Sequence, residues 1–207
     1  MATVVVGGHT RNVGKTSVVA GLIAALPEYQ WTALKITQFG HGMCSADGEP
    51  CHCATDEHVW GMIEEVDRSG KSDTSRFLCA GAKRVWWVRS QQGKLAEAMP
   101  AIRRKLEGAE NVIIESNSIL KFVKPDLYLT VLDPRTKDFK NSAQEFLDRA
   151  DAVVLHSGDE FAWEGVSLKP VKGRPVFRIA PPRYVTDEIV AFVRGRLGQG
   201  EVRCSSN

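Results

Sequence analysis

The sequence predicts an α/β protein with a mostly parallel sheet of about seven strands flanked by helices. Three observations predict it. Strand and helix signals alternate along the chain. Most strand candidates are short apolar runs rather than apolar–polar alternations, the pattern of strands covered on both faces. The repeated β–α order favours parallel strands joined by right-handed crossovers. At 207 residues the chain is long enough for one such domain with a full core.

The strand candidates are, in order, Thr3–Val6, Trp31–Thr37, Arg84–Val88, Asn111–Glu115, Asp126–Leu132, Ala152–Leu155 and Pro175–Arg178. Helical patterns fall between them at Thr16–Leu26, Asp56–Val66, Asp73–Ala82, Lys94–Leu106, Ser142–Arg149 and Thr186–Leu197. There is no internal repeat and no long linker, so residues 1–197 read as a single domain. Residues 198–207 are polar and read as a disordered tail.

Composition narrows the class of function. Hydrophobic residues make up 43% of the chain and charged residues 25%, an ordinary globular balance. The net charge of +2 is too small to argue for nucleic acid or an anionic membrane as partner. No apolar run approaches the length of a membrane span, and Met1 leads directly into a strand instead of a signal peptide. The expected location is cytoplasmic.

The most informative stretch is Thr3 to Ser17. A β-branched strand runs into a loop bearing Gly7 and Gly8, and Gly14-Lys15-Thr16 then opens an apolar helix. This is the layout of a phosphate-binding loop. Glycines let the backbone turn tightly and bring N–H groups against phosphate oxygens. The following helix points its positive end at the same anion. Lys15 can reach the β- and γ-phosphates, and the Thr16 hydroxyl can enter a Mg²⁺ shell. Gly8, Thr10, Asn12, Val13, Gly14, Lys15, Thr16 and Ser17 are therefore the expected nucleotide-binding residues. In the commonest form of this loop a glycine stands five positions before the second glycine, and here that position is His9. The longer spacing, with Val13 before Gly14-Lys15-Thr16, resembles the loop of dethiobiotin synthetase and its relatives.

In parallel α/β sheets chemistry gathers at the carboxyl ends of the strands. The second strand candidate carries Lys35 near its end, a residue able to bind phosphate or polarise a substrate, or else to snorkel to the surface. The strand Val112-Ile113-Ile114-Glu115 ends in a carboxylate, the usual second half of a nucleotide site, where the acid holds Mg²⁺ or its water. Lys15, Lys35 and Glu115 are the expected catalytic residues, and Thr16 with Glu115 the expected Mg²⁺ residues.

The run Asp67-Arg68-Ser69-Gly70-Lys71-Ser72-Asp73-Thr74-Ser75-Arg76-Phe77-Leu78-Cys79-Ala80-Gly81-Ala82 resembles a segment of the molybdopterin-guanine dinucleotide biosynthesis adaptor (MobB) family. That family carries D-x-x-G-K-D-S/T-x-R-x-x-x-A-G-A after its second strand. Asp67, Gly70, Lys71, Asp73, Thr74, Arg76 and Ala80-Gly81-Ala82 match, with one extra residue at Ser72. Lys35 falls where the family has Lys-His. The resemblance spans roughly the first 120 residues. It implies a GTPase-like P-loop NTPase domain, commonly a homodimer, acting in molybdenum cofactor or other cofactor biosynthesis. The family's histidines after Lys35 are replaced by Thr37 and Gln38, and its Glu-Gly by Glu115-Ser116. Asp73, Thr74 and Arg76 read either as binding residues or as helix caps.

Three of the five cysteines, Cys44, Cys51 and Cys53, lie close together, with histidines at 41, 52 and 58. A reducing compartment disfavours disulfides, so a Zn²⁺ site is one reading, with His41, His58 or Cys79 as fourth ligand, and a loop of free thiols is the other. The strand Ala152–Leu155 leads to His156, and Pro175–Arg178 leads to Pro181-Pro182. In dethiobiotin synthetase-like proteins the equivalent loops enclose the purine, which would make His156, Pro181 and Pro182 base contacts; the alternative is ordinary turns. No Asn-Lys-x-Asp signature selects guanine, so ATP and GTP both fit. Three functions are expected to compete: a MobB-like nucleotide-binding protein with a small-molecule or protein partner, an ATP-dependent ligase or small-molecule kinase like dethiobiotin synthetase, and a nucleotide-regulated metal-handling protein.

Overall fold

The computed structural model describes residues 1–39, 59–158 and 163–204. Cys44, Cys51, Cys53, the histidines at 41, 52 and 58, and the start of the helix expected from Asp56 lie outside them.

Among the described residues eight strands form one sheet: β1 (Ala2–Gly8), β2 (Trp31–Phe39), β3 (Trp60–Glu64), β4 (Arg84–Gln91), β5 (Asn111–Glu115), β6 (Leu127–Leu132), β7 (Ala152–His156) and β8 (Val176–Ile179). Their spatial order is β3-β4-β2-β5-β1-β6-β7-β8, and every pairing is parallel except β3 with β4. The helices are α1 (Lys15–Ala25), α2 (Asp73–Cys79), α3 (Leu95–Leu106), α4 (Asn141–Gln144) and α5 (Asp187–Cys204). The fold is a mostly parallel α/β sheet flanked by helices, as the sequence predicts.

Two apolar layers sandwich the sheet. On one face α1 contributes Val18, Val19, Leu22 and Ile23, α2 contributes Phe77 and Leu78, and α5 contributes Ile189 and Val193, all against Val4, Val6 and Leu129. On the other face α3 presents Leu95, Ala98, Met99 and Ile102, which share one side of a 3.6-residue helix. These pack with Ile119, Phe146 and Leu147 against Val5, Leu34 and Trp86. The central strands alternate between the two layers along their length, so both faces need apolar residues.

Three elements differ from the sequence reading. The expected helix Asp56–Val66 is contradicted by β3, which pairs antiparallel with β4 through Trp60↔Ser90, Met62↔Val88 and Glu64↔Trp86. Trp60 and Met62 pack on the α3-side core while Ile63 is exposed, a period of two, and Gly61 weakens any helix there. The expected helix Ser142–Arg149 is a short α4 followed by a separate 3-10 turn, Leu147–Arg149. α5 runs to Cys204, past the Leu197 where the pattern placed its end. Among the described residues no helix is long and apolar enough to cross a membrane.

Candidate functional site

The chain leaves β1 at Gly8, turns back over the strand end and enters α1 at Lys15. Two residues in this turn adopt left-handed backbone, Asn12 at φ 55° and Gly14 at φ 92°. Gly14 precedes the helix without a side chain to cap it, and the first turn of α1 carries no acid. The orphan N–H groups and the positive end of the helix therefore face the cleft without an internal counter-charge from that turn.

The loop is braced from below. Asn117 accepts a hydrogen bond from Gly8 N at 3.0 Å and donates one to Gly8 O at 2.9 Å. A Cβ at Gly7 would lie 2.1 Å from Asn117 Oδ1, so that close approach requires glycine. His9 is fully buried; its Nδ1 donates to Asp138 O at 2.8 Å and its Nε2 accepts from Asp133 N at 3.0 Å. Both ring nitrogens are matched only in a neutral imidazole. Burial pushes the His9 pKa down, against the pull of the Asp138 hydrogen bond. The residue in the usual glycine position thus staples the loop to the segment after β6. Thr10 Oγ1 bonds the Asp138 carboxylate. His156 Nε2 donates to Val13 O at 2.9 Å.

The reactive groups converge beside the loop because of strand register. In the sheet Glu115 lies directly opposite Val6 of β1 on one side and Lys35 of β2 on the other. Glu115 Oε2 accepts from Thr16 Oγ1 at 2.8 Å, and its Oε1 is 3.1 Å from Lys35 Nζ. Lys35 Nζ also contacts Thr16 Oγ1 at 3.3 Å and pairs with Asp73. Lys35 is therefore tied into the site and is not a snorkelling surface lysine. Arg76 Nη2 donates to Ser17 Oγ at 3.0 Å, joining α2 to the first turn of α1. Lys15 Nζ donates to Thr10 O at 2.6 Å. Burial of the Lys15 ammonium pushes its pKa down to about 8; Glu115 opposes the shift, and Lys140 and Lys35 add to it.

α2 is not capped by Asp73. Its cap is Ser72, whose side chain accepts from Ser75 N while Ser75 Oγ accepts from Ser72 N. Thr74 is buried and donates to Glu65 at 2.6 Å. Asp73 and Arg76 are left lining the cleft beside the β1–α1 loop.

These residues line a cleft of about 700 Å³. Gly8, Thr10, Asn12, Gly14, Lys15, Thr16, Ser17, Lys35 and Glu115 all reach it. Val13 is buried beneath, and His156 supports the loop from below instead of opening into the cleft. Pro181 and Pro182 are exposed and do not line it; Tyr184, just beyond them, does, and sits against Gly14. Cys79, the fourth-ligand candidate among the described residues, is exposed and bonds Arg68 O at 3.1 Å. No cluster of three or more metal-ligating His, Cys, Asp or Glu side chains occurs among the described residues. The sequence reading missed Asn117, Asp138, Lys140 and Tyr184. Tyr184 carried a weak signal as the aromatic after the last strand, whereas Asn117 and Asp138 act through long-range contacts that spacing does not reveal.

Neither a protein-family model nor a curated protein sequence matches the chain. Among solved structures it is similar to HypB from Helicobacter pylori in complex with nickel, with TM-score 0.49, 13% identity, and coverage of 98% of this chain and 88% of that one. It is also similar to the "apo" form of LpxK from Aquifex aeolicus in complex with ATP, with TM-score 0.48, 18% identity, and coverage of 86% and 53%. The 54 kDa signal recognition particle protein from Aeropyrum pernix K1 in complex with GDP gives TM-score 0.46, 17% identity, and coverage of 98% and 48%. The chain spans about half the length of the last two. Likeness this distant carries nothing about activity, and the assignment of the site rests on its own geometry.

Proposed function

We propose that the protein binds a Mg²⁺–nucleoside triphosphate, ATP or GTP, and acts on its γ-phosphate as an NTPase or phosphoryl-transfer protein. The observation that carries this reading is the convergence of Lys15, Thr16, Lys35 and Glu115 at the uncapped start of α1. The donor set fits Mg²⁺: Thr16 Oγ1 and the Glu115 carboxylate are hard oxygens held within 2.8 Å of each other. Those two residues would hold the ion, which supplies charge neutralisation between the β- and γ-phosphates. Lys15 exchanges its Thr10 carbonyl for phosphate oxygens, and the α1 N–H groups take the rest. Lys35 stands where charge develops on the transferred phosphoryl group.

The resemblance of residues 67–82 to the MobB adaptors extends this reading to a role in cofactor assembly, as a homodimer. It is supported by Asp73 and Arg76, two residues of that pattern, both lining the cleft. The ligase or kinase reading is favoured by Lys35, whose ammonium borders the cleft that an anionic acceptor would enter. A thermal-shift panel of ATP, GTP and candidate acids, with and without Mg²⁺, tests the proposal. A triphosphate present at 100 times its dissociation constant stabilises the fold by about 2.7 kcal/mol. No shift with either nucleotide overturns the reading.

A further inference from the structure

The cleft extends past the groups that would hold Mg²⁺ and phosphate. The neighbouring strands β4, β2 and β5 end along it, and it is lined there by Gln38, Gln92, Ser116 and Ser118, together with Asn141 and Ser142 of α4. Lys35 stands opposite Glu115 in the register, so residues further along β2 and after β5 lie past the phosphate end of the site. Gln92 is held beside them by its backbone N–H, which donates to Phe39 O at 2.9 Å. All six side chains are uncharged hydrogen-bonding groups. Ser116 and Ser118 meet each other at 3.1 Å. The side chains of Gln38, Gln92, Asn141 and Ser142 make no hydrogen bond among the described residues.

Charge in the cleft is balanced without a further ion. Among the described residues five cationic and three anionic side chains line it, a surplus of two positive charges. A Mg²⁺–triphosphate brings about two negative charges at neutral pH and cancels that surplus. Resting on the Mg²⁺–nucleotide reading above, we propose that the end of the cleft around Gln38 and Gln92 binds a second, uncharged ligand rich in hydroxyl groups, a polyol or neutral sugar, beside the γ-phosphate. Each carboxamide offers N–H donors and a carbonyl acceptor, which matches a hydroxyl that both donates and accepts. A charged ligand fits less well, because its charge would stay uncompensated in a partly buried cleft. Lys35 already pairs with Asp73 and Glu115. Lys140 stands on the phosphate side: burial, then Arg11, pushes its pKa down, and Lys15, itself depressed by burial, is depressed further by Lys140. The anionic acceptor weighed above would meet carboxamides and hydroxyls at this end, with both lysines engaged elsewhere.

The test is an NMR titration of protein saturated with a non-hydrolysable Mg²⁺–triphosphate analogue, at neutral pH. The probes are glucose, sorbitol and myo-inositol, set against gluconate and glucosamine, which carry an acidic and a basic group on the same six-carbon skeleton. At least one neutral probe should bind about tenfold more tightly than either charged one, a discrimination ordinary for unpaired buried polar groups. Gln38→Ala and Gln92→Ala should each weaken that binding about fivefold, the loss of one hydrogen bond, while nucleotide affinity stays at the wild-type value. Gln92 is exposed, so its replacement leaves the fold intact. Gln92→Glu places a carboxylate at this end and should move the preference toward glucosamine. Gluconate as the tightest probe, no binding of any neutral probe, or neutral-probe affinity unchanged in both alanine variants overturns the proposal. Wild-type protein that fails to bind the Mg²⁺–triphosphate analogue overturns the nucleotide reading instead, so the two failures are distinct.

Discussion

Nucleotide affinity should fall as pH rises through about 8, because the free protein has trouble keeping Lys15 charged. Burial lowers the Lys15 pKa to about 8, with Lys140 and Lys35 adding to the shift and Glu115 opposing it. A bound triphosphate needs the ammonium form, so binding above that pH must draw a proton from solution. The apparent dissociation constant then grows as the inverse of the protonated fraction. That fraction is about three quarters at pH 7.5 and about 3% at pH 9.5 for a group with this pKa. Affinity should therefore drop about 25-fold over the interval, or ~2 kcal/mol. Calorimetric titrations in buffers of different ionisation enthalpy would read both the drop and the proton uptake, approaching one proton per nucleotide at the upper end. Lys15→Arg, whose guanidinium stays charged throughout, should show no such slope whatever its absolute affinity. If wild type and Lys15→Arg share one pH profile, the account of Lys15 is wrong.

Three further outcomes are expected. Glu115→Gln keeps the shape of the side chain and removes its charge, so Mg²⁺-dependent binding or turnover should weaken more than metal-free nucleotide binding; equal losses in parallel titrations would make Glu115 structural. His9 is held neutral in the fold with its pKa below the ordinary 6.5, so the unfolded chain takes up a proton that the folded one does not. Stability should fall as pH drops below about 6.5, with a slope of up to ~1.4 kcal/mol per pH unit from this group, and chemical denaturation of His9→Asn should show a shallower dependence. Three thiolates close in sequence chelate with little loop-closure cost, so protein purified without chelators should carry about one zinc per chain through Cys44, Cys51 and Cys53; elemental analysis far below that, with all three freely alkylated, would leave them as free thiols.

What was legible in the sequence was what local chemistry dictates. Thr3–Val6 followed by Gly14-Lys15-Thr16 announces strand, loop and helix because each residue type serves its own position. The apolar run ending at Glu115 places an acid at a strand end, and β2 is equally plain around Lys35. That these two side chains meet is a matter of register, Lys35 opposite Glu115, which no spacing along the chain encodes. The same limit hid Asn117, whose amide braces Gly8 across 109 residues, and Asp138, which holds the loop through His9 and Thr10. The segment after Asp56 misled for another reason. Its apolar residues suit either period, and pairing with β4 at the sheet edge decides for a strand. For Asp73 the motif named the residue but left its use open between cap and contact. The Ser72–Ser75 capping box takes the cap and leaves Asp73 lining the cleft.

The cleft between β1 and α1 is the proposed seat of the phosphates of a nucleoside triphosphate with Mg²⁺. Calorimetric titration of Mg²⁺–ATP and Mg²⁺–GTP into wild type and Lys15→Ala tests it most directly, with circular dichroism to show that both proteins are folded. Saturable binding of at least one triphosphate at one site per chain is expected. Lys15→Ala should lose roughly 1.5–3 kcal/mol, about tenfold to a hundredfold in affinity. Folded wild type that binds neither nucleotide, or a Lys15→Ala variant that binds as tightly as wild type, would contradict it.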